Sequence, residues 1–164
     1  MISLGFFQHE RVELLHGVLV KMSPIGPPHR AVVDRLTRWL VLALSARALV
    51  SIRQPFAASD DSEPEPDVSV VPPGDYSATH PDRADLIIEV ADSSLEVDRE
   101  TKGPLYAASG VGEYWIVNLV QRVVEVYSAP VGGRYTQVRR AKGGETLAPR
   151  AFPDVAIAVA ELLG

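Results

Sequence analysis

The chain contains no cysteine. Disulfides, thiol nucleophiles and cysteine-ligated zinc are thereby excluded together, and a reducing compartment is the natural setting. Histidine is scarce too: His9, His16, His29 and His80 stand too irregularly for the paired spacings of a zinc site. No apolar run approaches the roughly 20 residues that a membrane span requires. Met1 to Phe7 is apolar, but it is short and has no basic lead, so it does not read as a signal peptide. The glycine-rich phosphate loops GxxxxGKS/T and GxGxxG do not occur, and neither does the GxSxG elbow of a serine hydrolase. Internal repeats and low-complexity tracts are missing as well. These absences lead us to expect a cytoplasmic chain without a membrane span. It reads as one domain over residues 1–164, with residues 1–9 as a loose N-terminal segment.

Hydrophobic residues make up 46% of 164, enough for a sizeable core at ordinary domain length. Net charge is −5, which by itself counts against a nucleic-acid partner. The charges are unevenly placed, however. Arg30, Arg35, Arg38, Arg47 and Arg53 face only Asp34 within their segment. Arg134, Arg139, Arg140, Lys142 and Arg150 face only Glu145, and Asp60, Asp61, Glu63, Glu65 and Asp67 crowd together. Basic patches around a concentrated acidic site could engage a phosphodiester through a metal; as separate features, the basic patches are also what solvated faces look like.

The elements follow from periodicity and punctuation. Residues 11–22 read as two short strands around a tight turn at His16-Gly17. A helix is predicted from His29 to Arg47, with Val32, Val33, Leu36, Trp39, Leu40, Ala43 and Leu44 as its apolar stripe. Strands are predicted at Leu49 to Phe56, Asp67 to Val71 and Asp85 to Ala91. The run Leu-Ile-Ile-Glu-Val in the last of these, apolar on both faces, marks a central covered strand. A loop from Asp92 to Lys102 leads to a helix from Gly103, with Pro104 in its first turn, to Gly110. Strands follow at Glu113 to Asn118, Val123 to Tyr127 and Tyr135 to Arg139, with Gly132-Gly133 turning the last pair. The tail from Phe152 to Leu163 reads as a short strand or loop and a terminal helical turn. The fold class is α/β (α+β): a mixed central sheet flanked by helices.

Two carboxylates stand out. Glu89 lies inside the covered strand, where burying a charge is costly unless it is paired or metal-bound. By itself it could be satisfied by an arginine or a backbone amide. With Asp67 on the neighbouring strand, the pair supplies oxygen ligands of the kind that Mg²⁺ or Mn²⁺ requires. Lys102 opens the helix after the Glu89 strand, close enough to the same strand end for its ammonium to orient a water or neutralise a phosphate. Asp98 and Tyr106 are companions that could brace it. His29 starts the first long helix, where a histidine can serve as a cap or can touch phosphate or water.

The strings Glu13-Leu-Leu-His-Gly, Glu65-Pro-Asp67-Val, Ile88-Glu89-Val90, then Asp98, Lys102, Tyr106 and Gly110-Val-Gly-Glu-Tyr-Trp-Ile-Val resemble, in this order, the Uma-type family of bacterial restriction endonucleases within the PD-(D/E)XK superfamily. The resemblance runs from about residue 10 to the C-terminus. It implies a restriction-endonuclease-like core and a metal-dependent hydrolase acting on DNA, RNA not being excluded. Asp67, Glu89 and the Val90 carbonyl would hold Mg²⁺ (or Mn²⁺), Lys102 would act on the water, and Glu13 would assist. The chain departs from the superfamily's basic pattern at Ala91, where a lysine would follow the acid by two residues. In the resembling family that lysine is displaced onto the next helix, where Lys102 stands. Cutting both strands of a duplex usually takes two sites, so a homodimer is expected, paired through apolar strands after residue 113. The alternative is a catalytically degenerate nuclease-fold module that binds nucleic acid or a protein partner.

Overall fold

The computed structural model describes residues 10–164; the expectation for residues 1–9 lies outside them. β1 (Val12–Leu15) and β2 (Val18–Lys21) form the expected hairpin, with Leu15 opposite Val18. His16 and Gly17, its two turn residues, both have positive φ, 50° and 77°, the twist that a two-residue hairpin favours. α1 (Pro27–Leu44) begins two residues earlier than predicted, because Pro27 and Pro28 both fit a first turn that needs no backbone N–H. It ends at Leu44, and Ser45–Arg47 tighten into a 3₁₀ turn.

The main sheet has six strands: β3 (Leu49–Ile52), β4 (Val68–Val71), β5 (Leu86–Ala91), β6 (Glu113–Asn118), β7 (Val123–Val131) and β8 (Arg134–Lys142), side by side in chain order. Only β5 and β6 run parallel; every other neighbouring pair is antiparallel. A parallel pair needs a crossover. Here it comprises α2 (Leu95–Val97), a π-helical turn over Asp98–Lys102, and α3 (Gly103–Ala108). Helical structure therefore begins inside the stretch predicted as loop. β3 is shorter than predicted and β7 and β8 are longer. A two-stranded ribbon, β9 (Thr146–Leu147) with β10 (Ile157–Ala158), precedes α4 (Val159–Leu163).

Alternation along β5 separates two cores. Leu86, Ile88 and Val90 join Leu36, Leu40 and Leu44 of α1, together with Trp115 and Leu162. Ile87 and Ala91 face the other way, toward Tyr106 of α3, Phe56, Tyr114 and Ile116. Glu89 has the parity of this second face. Every residue of β5 and β6 is buried, as the two-sided apolar run required. The expected apolar edge after residue 113 is not there. β6 is covered on both faces, and the edge strand β8 carries Arg134, Arg139, Arg140 and Lys142, charges that oppose pairing with another strand.

At the start of β6, burial pushes the Glu113 carboxyl above its ordinary range, against hydrogen bonds donated by Trp115 Nε1 (2.6 Å) and the Arg150 N–H (3.3 Å). A group with a raised folded pKa contributes stability that is complete below its unfolded pKa and is lost as pH rises through the folded one. Glu113→Gln is neutral throughout and is expected to escape that loss. Its urea midpoint should therefore improve relative to wild type between about pH 4 and about pH 7. A difference between the two chains that stays constant over this range would contradict the assignment.

Candidate active site

The strand register brings Asp67 and Glu89 together. Val68 stands opposite Ile88 in the β4–β5 ladder; one step further, Asp67 comes level with Glu89, and directly opposed residues share a face. At this point the carboxylates take over the ladder's role. The Asp67 N–H donates to Glu89 Oε1 (2.9 Å) and the Val90 N–H donates to Asp67 Oδ2 (2.8 Å). His29, in the first turn of α1, donates from Nε2 to the same Asp67 Oδ2 (3.1 Å). Asp67 Oδ1 accepts no hydrogen bond among the described residues, and the nearest cationic atom, Arg53 Nε, is 3.8 Å away.

Lys102 arrives from the crossover. Its ammonium donates to Glu89 Oε2, lies 2.9 Å from Glu13 Oε2 and lies 3.9 Å from Asp98 Oδ1. Asp98 is one helical turn earlier, and the π-turn keeps both residues buried on its inner side. That turn is fastened by Tyr114, whose hydroxyl donates to the Asp98 carbonyl (3.1 Å), and by Ser94, whose hydroxyl donates to Asp98 Oδ2 (2.7 Å). Glu13 reaches the cluster because the hairpin is tied to the acidic loop. The Gly17 N–H donates to the Asp61 carbonyl (2.8 Å), the His16 N–H to Ser62 Oγ (2.9 Å), and the Glu65 N–H to Glu13 Oε1 (3.0 Å).

The electrostatics follow from burial. Glu13, Asp67, Glu89 and Asp98 are all buried, as is Lys102. Burial pushes the Glu89 carboxyl well above its ordinary range; Lys102 pulls it down, while Asp98, Asp67 and Glu13 add to the rise. Asp98 is raised by burial, with Lys102 and the Ser94 hydrogen bond opposing. For Lys102, burial works against the charge, but Glu89, Glu13 and Asp98 outweigh it and hold the ammonium above its usual range. Three carboxylates thus share one ammonium, and Asp67 lies beside them with Arg53 Nε at 3.8 Å.

Of the residues singled out in the sequence, Asp67, Glu89, Lys102, Glu13, Asp98, His29 and Val90 all line a single cleft of about 120 Å³ at the carboxyl end of β5. Tyr106 does not. Its ring packs against Phe56 and Tyr114 behind the cluster, and its buried hydroxyl has no hydrogen-bond partner among the described residues, so it gives Lys102 no hydrogen bond. Arg53 and Ser94 were missed. Arg53 carried a faint signal, being the basic residue at the end of the strand before Asp67; Ser94 carried none. A larger hollow of about 650 Å³ lies at the opposite end of β5 and β6, between Asp85 and Glu113, away from the carboxylate cluster.

Among the described residues, no group of three or more His, Asp or Glu side chains is placed to hold a metal ion. Donor chemistry is the remaining test of fit. Two carboxylates and a strand-end carbonyl are hard oxygen donors suited to Mg²⁺ or Mn²⁺, and Asp67 Oδ1 still has its lone pairs to offer. On donor type, Asp67, Glu89 and Val90 fit a hard divalent cation.

Residues 3–160 match the family Uma2, described as a putative restriction endonuclease. The chain belongs to that family. No curated protein matches it. Among solved structures, a putative nuclease belonging to DUF820 from Anabaena variabilis ATCC 29413 is similar to the Uma2 chain with a TM-score of 0.77 at 15% identity, over 93% of this chain and 89% of that one. At that identity the likeness shows the fold, a nuclease-type mixed sheet flanked by helices. No helix among the described residues of this Uma2 chain is long and apolar enough to cross a membrane.

Removing the ammonium while keeping the acids leaves buried charge uncompensated, at a cost of about 3–5 kcal/mol. Lys102→Met is expected to lose stability of that order, and adding Glu89→Gln to it should restore part of the loss. Guanidinium chloride unfolding of the three chains measures both effects. A loss below about 1 kcal/mol in Lys102→Met would mean that the ammonium is not the main compensation.

Proposed function

We propose that the chain is a metal-dependent endonuclease that hydrolyses phosphodiester bonds of DNA, acting as a single domain in the cytoplasm. What carries this reading is the surplus of buried carboxylate. Glu13, Glu89 and Asp98 have one ammonium between them, and Asp67, level with Glu89, has His29 and, at 3.8 Å, Arg53 Nε beside it. Buried negative charge of that density calls for a further cation. The carboxylates of Asp67 and Glu89, with the Val90 carbonyl, would hold Mg²⁺ or Mn²⁺. When bound, such an ion lowers the pKa of a coordinated water and takes up charge developing on the phosphate. Membership of the Uma2 family supports the same chemistry.

The side chains divide the remaining work. Lys102 keeps its proton, because its carboxylate neighbours hold its pKa up. In this reading it is a donor that orients the attacking water and offsets phosphate charge. Glu13 and Asp98 restrain Lys102 from two sides. His29 and the Val90 N–H fix Asp67 through Oδ2, leaving Oδ1 toward the ligand side. Tyr106 supports the cluster by packing alone. A second copy would serve double-strand cutting.

The rival reading, a degenerate module that binds nucleic acid or a protein without cutting it, is favoured by one observation: no three acidic or histidine side chains are set for a metal. Plasmid and single-stranded DNA incubated with Mg²⁺ or Mn²⁺ separate the two. We expect cleavage that Glu89→Gln abolishes, and Mn²⁺ binding by calorimetry that Asp67→Asn abolishes. Absence of both cleavage and Mn²⁺ binding would establish the degenerate module, and undiminished cutting by Glu89→Gln would remove the assigned site. Sedimentation should show a dimer; a mass that stays monomeric as concentration rises refutes it.

A further inference from the structure

Arg53 takes no part in the carboxylate–lysine cluster, yet the sheet sets it against that cluster. Ile52 pairs with Val68, and Val68 with Ile88. One step on, Arg53, Asp67 and Glu89 come level across three strands. The Arg53 N–H donates to the Asp67 carbonyl (3.2 Å), as the Asp67 N–H donates to Glu89. At Arg53 the backbone leaves β3 through the left-handed region, with φ 51°. A side chain disfavours that conformation, whereas glycine adopts it freely. His16, Ser45, Arg122 and Ala129 share that conformation, so what sets Arg53 apart is its side chain.

The guanidinium Nε is buried with no hydrogen-bond partner among the described residues. The separation from Asp67 Oδ1, 3.8 Å, is too long for a hydrogen bond. Asp67 already takes its hydrogen bonds through Oδ2 from His29 and Val90, so Arg53 is not needed to satisfy it. Buried donors are rarely left unpaired, and those that are need an explanation. The Arg53 side chain is 27% exposed, and it lines a groove of about 540 Å³ along the first turns of α1, with Arg30, Asp34, Thr37 and Ile52. Arg30 is exposed and engaged only loosely, by Asp34 at 3.6 Å. Ile25 lines both this groove and the carboxylate cleft, so the two adjoin, and a chain of anions lying in the groove would come up to the cleft.

We propose that this groove is the path of the DNA backbone, with Arg53 binding the phosphate beside the carboxylate cluster and Arg30 following the strand along α1. The inference rests on the nuclease reading above and extends it to residues outside the carboxylate–lysine cluster. A guanidinium presents a fork of N–H donors that matches two phosphate oxygens. An anion in the groove would meet the part of the Arg53 side chain that is open to solvent, where the carboxylate cluster makes no hydrogen bond to the guanidinium.

Fluorescence anisotropy tests it, using labelled single-stranded and duplex DNA with the full chain carrying Glu89→Gln, in EDTA and again in Mg²⁺. Arg53→Gln and Arg53→Gly are expected to weaken binding about tenfold, with Arg53→Lys between them and wild type. The slope of log affinity against log salt should fall by about 0.9 on duplex DNA for the one lost phosphate contact. Arg53→Gly separates this role from a structural one. It relieves the backbone, so its melting temperature should hold or rise while affinity falls. Equal DNA binding by wild type and Arg53→Gly overturns the proposal alone. A chain that binds neither DNA in either condition overturns the nuclease reading and this proposal with it.

Discussion

The fold around the cleft is organised by one requirement: a lysine ammonium buried among carboxylates must be held where it touches several of them at once. Desolvating these charges costs several kcal/mol per ion, and that cost is recovered only if the partners are fixed. Glu13, Glu89 and Asp98 come from a hairpin, a central strand and a crossover helix that are far apart in the chain. Each has its own restraint: the Glu65 N–H on Glu13, the Asp67 N–H on Glu89, and the Ser94 hydroxyl on Asp98. With any one of these supports missing, a buried charge would face its neighbours unbalanced.

The end of the β4–β5 pairing shows how little backbone is needed for this. Where the ladder stops, side-chain oxygens of Asp67 and Glu89 accept the N–H groups of Val90 and Asp67. The two carboxylates thereby finish the sheet and remain at its open end. Because β6 runs parallel to β5, the chain must cross over immediately after Glu89, and the crossover brings Lys102 back to the strand end it has just left. The π-turn adds one residue to the helical circuit at the position of Asp98 and Lys102, the kind of local irregularity that recurs at functional sites. Phe56, Tyr106 and Tyr114 fill the space beneath it, so the charged layer rests on aromatic packing.

Much of this could be read from the sequence, for identifiable reasons. The run Leu86-Ile87-Ile88-Glu89-Val90 announces a covered strand with one costly carboxylate, and the structure buries all of it. Asp67 on the preceding strand and Lys102 on the following helix could be placed by connectivity alone. What could not be read depends on tertiary ties. The site's hairpin is delivered by hydrogen bonds to Asp61 and Ser62, residues that look like solvated loop in a linear reading. The helical start at Leu95 and the π-turn are set by Ser94 and Tyr114, which meet Asp98 only in three dimensions. Tyr106, two turns from Asp98, looks like a partner for Lys102, but ring packing takes it elsewhere. Arg53 shows in the sequence only as one of a run of arginines, and its approach to Asp67 is tertiary.

Charge distribution resolves the apparent conflict between an acidic chain and a polyanionic substrate. A net charge of −5 repels DNA only if it is spread over the contact surface. Here Glu13, Asp67, Glu89 and Asp98 are withdrawn into a buried cluster beside Lys102, so they are not part of the exposed contact surface. Arg53 and Arg30 stand outside that cluster on the solvent side. The same burial that makes the carboxylates costly therefore leaves the approach to the cleft more basic than the overall charge suggests. It also means that a cation entering the cluster would relieve the protein's own repulsion before it met any substrate. On the proposed chemistry, the energy that holds the ion is then largely the energy that the fold spent in bringing Glu13, Asp67, Glu89 and Asp98 together.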